Sequence, residues 1–145
     1  MKANGTRFFL ATLLAFGLCG MPEGGRAEIP ATSAMFITRH LDVLSFPDSI
    51  HPRRRPGANL LSDYGFNQFK ADGATVEATD SEGELFFSVT LVADEGARKL
   101  LCITDQIVNG TYLTVDPVEV ELGDDGLFHG TGRAVEDPRC PEYRR

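Results

Sequence analysis

What this chain lacks narrows it before any motif does. Past its first residues it has no apolar run of the roughly 20 residues needed to cross a bilayer. It has no Gly-x-Ser-x-Gly elbow and no serine at a strand-to-helix turn. It has no glycine-rich phosphate loop, because Gly130-x-Gly132 lacks a third glycine and a following helix. Internal repeats, low-complexity tracts and heptads are missing as well. Cysteine and histidine are scarce, three of each. Positive charge is the minority sign: 14 Lys and Arg stand against 21 Asp and Glu, for a net −7. These gaps remove the common nucleophilic and phosphate-binding chemistries, and the acidic balance disfavours nucleic acid and anionic membrane as partners.

What is present begins with a secretory leader. Lys2 and Arg7 supply its positive end, and residues 8–18 form an apolar core too short to span a membrane. Pro22, Gly24 and Gly25 break any helix, and Gly25-Arg26-Ala27 offers a small-x-small cleavage site. An uncleaved anchor is one alternative. Lipidation at Cys19 is another, opposed by Leu18 where a small residue is expected. The leader, residues 1–27, carries Lys2, Arg7 and Arg26 against Glu23, a net +2, so residues 28–145 carry −9 against −7 for the whole chain. Those 118 residues make one exported, soluble domain, placed in the bacterial periplasm or secreted, with no transmembrane segment after cleavage.

Two cysteines survive cleavage, Cys102 and Cys140. In an exported domain they are expected to pair rather than serve as a catalytic thiol. The bond would close a loop of 39 residues, and chain entropy alone would then contribute about 4 kcal/mol. It would tie the C-terminal tail to a central strand.

The fold is expected to be mainly β. Residues 35–46 read either as a strand or as a helix capped by Thr32 or Ser33, with β-branched and aromatic content tilting toward strand. Residues 47–57, with three prolines and a glycine, form an extended loop. Six strands then follow, over 64–70, 74–79, 84–92, 98–108, 111–122 and 127–135, each separated from the next by a polar or glycine-containing turn. Asn109-Gly110 is the strongest hairpin signal. The apolar phase of the fifth strand shifts at Asp116-Pro117, which predicts a bulge or bend there. Gly130 and Gly132 predict strong twist or a close backbone approach. Tight turns join antiparallel neighbours. The architecture is therefore an antiparallel six-strand meander, curled into a small barrel or a half-open sheet, with the N-terminal strand or helix packed on it.

Candidate chemistry is thin. His40 and Asp42, at i and i+2, would share one face of a strand, and with His129 they form a weak metal or acid–base candidate. The carboxylate pairs Asp80-x-Glu82, Asp124-Asp125 and Glu119-x-Glu121 read as turn chemistry or wet strand faces. Asn109-Gly110-Thr111 matches a glycosylation acceptor, but the hairpin already accounts for it. The most distinctive stretch is His51-Pro52-Arg53-Arg54-Arg55-Pro56. There three guanidinium forks held between prolines suit a carboxylate, phosphate or sulfate, either within this acidic domain or on a partner.

Two functions follow as expectations. The first is a non-catalytic exported or periplasmic binding module, meeting an envelope or secreted protein, or an anionic polymer through Arg53, Arg54, Arg55 and His51. The second is a carrier of a small apolar ligand in a β-barrel, lined by Phe66, Phe69, Phe86, Phe87, Leu101, Tyr112 and Phe128. A small hydrolase or metal enzyme using His40, Asp42 and His129 ranks third. No cofactor and no metal are expected.

Overall fold

The computed structural model describes residues 33–47, 50 and 53–140. The expected leader and its cleavage site, Thr32 and His51 lie outside these residues. Six strands form one antiparallel meander in sequence order: β1 (Gln68–Asp72), β2 (Thr75–Thr79), β3 (Leu85–Glu95), β4 (Arg98–Ile107), β5 (Leu113–Leu122) and β6 (Phe128–Gly130). The sheet does not close. Of the two shapes the sequence allows, it takes the half-open one.

Residues 35–46 do not form the strand favoured by composition. They open as a short helix, α1 (Ala34–Arg39), followed by turns. Ser33 sets the start by accepting a hydrogen bond from Phe36 N–H at 3.2 Å. The helix buries Ile37 against the sheet while His40 closes its end. Packing of one apolar face has overridden β propensity here. After α1 the chain runs beside β6, where Leu41 makes an isolated parallel bridge to Phe128.

Residues directly opposite in an antiparallel ladder share a face. The register therefore places Val76 and Ala78, Val89 and Phe87, Ile103, Leu101 and Val118 on one inner face. Onto it pack Ile37, Leu41, Val43, Phe46, Ile50, Leu61, Tyr64 and Phe66, all buried. Phe66 meets Phe87 edge-on, with ring centroids 6.0 Å apart. The first strand begins later than the sequence suggests, because a one-turn 3-10 helix, Leu61–Tyr64, takes up Tyr64.

Two local expectations are corrected. No register shift occurs at Asp116-Pro117: β4 and β5 pair without interruption from Arg98↔Glu121 to Gln106↔Leu113. Ile107 N–H bonds Tyr112 O, and Glu119 O accepts from Thr131 N–H. The even residues of β5 therefore face β4, and the odd ones face the other edge. Pro117 is odd, so its missing N–H costs the ladder nothing. The bulge lies instead in β3, between Leu91 and Ala93. The Asn109-Gly110 turn is also wider than a two-residue hairpin. Asn109 takes positive φ, but Thr111 and Tyr112 join the connection before β5 begins at Leu113.

The disulfide joins Cys102 to Cys140, with Cα atoms 5.4 Å apart. Cys102 stands on the outer face of β4, opposite Thr90 and Pro117. The tail is thereby strapped across the sheet on the side away from the helix, and Arg139 donates to Val92 O at 3.1 Å. A disulfide is compatible with an exported protein. Phe87 is wholly buried at the centre of the other face. Phe87→Ala is predicted to lower the unfolding free energy by about 3–5 kcal/mol, read as a reduced urea midpoint at unchanged slope.

Candidate functional site

The last strand is short, and that shapes the surface. The β6 strand pairs with β5 at three residues, Val120 to Leu122. After the Thr131–Glu119 hydrogen bond the chain turns at Gly132, whose φ of +72° is one that side chains disfavour. The expected strand over 127–135 therefore stops at Gly130, and the tail leaves the edge of β5. Between that edge, the turn at residues 45–47 and the departing tail at 132–136 lies an open groove of about 440 Å³. Its lining mixes apolar groups (Phe46, Pro47, Ile103, Pro117, Val118 and Val135) with Asp116, Glu119, Glu136 and Arg133. Glu119 is engaged by Thr131 at 2.9 Å and by Arg133 at 3.4 Å. Gly130 brings the wall close. A Cβ there would stand 3.0 Å from Ser45 O, and Gly130 N–H donates to Ser45 Oγ at 2.7 Å. The close approach expected of Gly130 is thus made against Ser45.

Behind this wall sits His129. Its Nδ1 lies 2.9 Å from Asp42 Oδ2, and its Nε2 lies 2.9 Å from Asp125 Oδ1. The ring lies over Gly123, where a Cβ would come within 2.7 Å of it. Asp42 in turn accepts from Leu44 N–H at 3.0 Å and from Asn59 Nδ2 at 2.9 Å. Of the predicted trio, the structure brings Asp42 and His129 together. His40 is turned elsewhere: its Nδ1 is 2.9 Å from Phe36 O, and its ring stacks on Phe36 at 4.2 Å. The i, i+2 geometry assumed for His40 and Asp42 needed a strand, and α1 ends at that point. Asp125 was missed as a partner. Its spacing of four residues from His129 across a tight turn was the available signal.

Two carboxylates on one imidazole are best served when both ring nitrogens carry protons. The hydrogen bond to Asp125 is the largest influence and raises the His129 pKa above the ordinary imidazole value; burial opposes it, and the hydrogen bond to Asp42 adds to the rise. The same contact with His129 holds Asp125 below the usual carboxylate range. The group therefore acts as an ionic clamp between the β5–β6 turn and the segment after α1. Among the described residues, no group of three or more His, Cys, Asp or Glu side chains is arranged to hold a metal ion.

The arginine loop folds back on the protein. Arg54 donates to Pro47 O at 2.7 Å and to Leu44 O at 2.5 Å. Arg55 donates to Asp63 O and lies over the Tyr64 ring at 5.3 Å. Arg53 stands 3.9 Å from Asp105 Oδ1 and 5.9 Å from the Phe66 ring centroid. Asp105 is fully buried and accepts Ile50 N–H at 2.5 Å. Burial raises its pKa, opposed by that hydrogen bond and by the Arg53 charge. An acidic residue in the middle of β4 reads as a wet strand position in sequence, so its role as an inner anchor was missed.

No protein-family model, curated protein or solved structure matches the chain.

The clamp has a predicted pH signature. A raised His129 pKa stabilises the fold fully below the unfolded imidazole value of about 6.5, and the contribution is lost as pH rises through the folded value. A lowered Asp125 pKa stabilises above the unfolded carboxylate value of about 3.9, and that contribution is lost as pH falls through the folded value. The stability gap between the wild type and His129→Gln is therefore predicted to be widest near pH ~5 and to narrow steadily toward pH ~9, as urea unfolding at the two pH values would report. A gap that is the same at both would contradict the clamp.

Proposed function

We propose that this protein is a non-catalytic exported binding module whose contact surface is the groove along the free stretch of β5. The observation that carries the reading is the groove itself, an open concavity lined by apolar side chains together with Asp116, Glu119 and Glu136. Two further observations support it. Both nitrogens of His129 are occupied by carboxylates, which leaves neither free to act as a base or a ligand. Arg54 and Arg55 donate to internal carbonyls and Arg53 is paired in charge with buried Asp105, so an anionic polymer would have to displace these contacts to use them.

The carrier reading is weaker. It calls for an enclosed apolar volume, whereas Phe66, Phe87, Leu101 and Phe128 are packed in the interior of an open sheet. Of the other expected lining residues, Phe86 falls on the outer face, Phe69 is half-buried on β1, and Tyr112 lies in the β4–β5 connection. An apolar small molecule would have to occupy the groove instead.

A photo-crosslinking side chain placed at Thr114 in the groove, in protein made by its own exporting host, is predicted to yield a defined adduct with a second protein. The same probe at the exposed position Glu77 on β2 is predicted to yield none. Equal labelling from both positions, or none from either, would sink the reading.

A further inference from the structure

The groove runs beside an unfinished sheet edge. The odd residues of β5 direct their backbone groups away from β4. Glu121 and Glu119 meet β6 and Thr131 there. Beyond them, Leu113, Val115 and Pro117 have no neighbouring strand among the described residues. An edge with outward N–H and C=O groups is a template for another strand. Pro117 ends the template on one side by withholding its N–H. Among the described residues, the hydrogen-bonding stretch without a partner strand therefore spans Leu113 to Val115, with the Pro117 carbonyl beyond. The opposite edge of the sheet, β1, is five residues long and carries Lys70 and Asp72, the usual way of blunting an edge.

The side chains facing this edge specify what would fit. Thr114, Asp116 and Val118 stand on the inner face, and Val115 and Pro117 on the outer face. Directly opposite residues of an added strand would share those faces. The groove lining carries three carboxylates, Asp116, Glu119 and Glu136, against one guanidinium, Arg133. A second copy of the same acidic edge would set like charges across from one another, which is unfavourable. Resting on the binding-module reading above, we propose that the groove takes an extended peptide segment of a partner protein as a seventh strand beside β5. A Lys or Arg of that segment sits opposite Asp116, and β-branched or aromatic residues flank it over Val115 and Pro117. Main-chain hydrogen bonds to Leu113 and Val115 supply affinity, and the alternate side chains supply selectivity.

The test uses the full mature chain and the capped peptide Ser-Thr-Val-Lys-Val-Thr-Ser, followed through backbone amide chemical shifts. Saturable shifts at Leu113 and Val115 are expected. They should be absent with a peptide bearing Glu in place of Lys, and absent with one N-methylated at alternate amides. Asp116→Asn should weaken binding about twofold to fivefold, the size of one cross-strand charge pair. Val115→Pro should abolish binding while leaving the β4 ladder intact, since Pro117 already occupies an equivalent outward position. If the Lys peptide causes no shift at millimolar concentration, or the N-methylated peptide binds as well as the parent, strand addition is wrong. Should Thr114 still crosslink to a protein in that case, the binding-module reading stands without it. If Thr114 crosslinks to nothing, both fall.

Discussion

Both faces of this protein are tied to β4. On the inner face the Asp105 carboxylate accepts the Ile50 N–H and faces Arg53, so a strand in the middle of the sheet holds the irregular N-terminal layer in place. On the outer face Cys102 holds Cys140 and with it the tail. A burial cost attends the first tie, since a carboxylate removed from water must be compensated by bonds and charge. The second constrains the unfolded chain instead, by about 4 kcal/mol for a loop of this length. With its two layers fixed independently, the sheet need not close on itself to be stable.

An open sheet has edges, and the two edges here are treated differently. At β1 the strand is short and charged. At β5 the partner strand β6 begins as a neighbour and then departs. The departure follows from the backbone: Gly130 allows contact with Ser45, and Gly132 takes the left-handed conformation that turns the tail away. Pro117 limits how much of the exposed edge can bond, while Asp116, Glu119 and Glu136 give the neighbourhood a negative sign. The His129 clamp adjoins the Gly130–Ser45 contact and ties the β5–β6 turn to the segment after α1.

Much of this was legible in the sequence, for identifiable reasons. The strand order follows from Asp72-Gly73, Gly83, Gly96 and Gly126, positions where positive φ or a side-chain-capped turn leaves few alternatives. The cysteine pair followed from the count of two cysteines past the expected leader. The helix at 34–39 was harder to read, because Phe36 and Ile37 favour a strand locally and only tertiary packing decides otherwise. Asp116-Pro117 read as a break because the apolar phase changes there, but β5 keeps its register and Val115 and Val118 simply face opposite sides of the sheet. Asp42 and His129 were named, but on the wrong geometry, and their contact spans 87 positions. The groove was not legible at all. It exists because β6 is short, and strand ends are set by backbone turns that a periodic pattern does not reveal.

The central claim is that β5 has no neighbouring strand at Leu113 and Val115 among the described residues, and amide hydrogen exchange in the free protein tests whether that edge is open. The account predicts fast exchange at Leu113 and Val115, alternating with slow exchange at Thr114, Asp116 and Val118, whose N–H groups face β4. Uniform protection along all five residues would mean that the edge is already occupied, and would contradict the account.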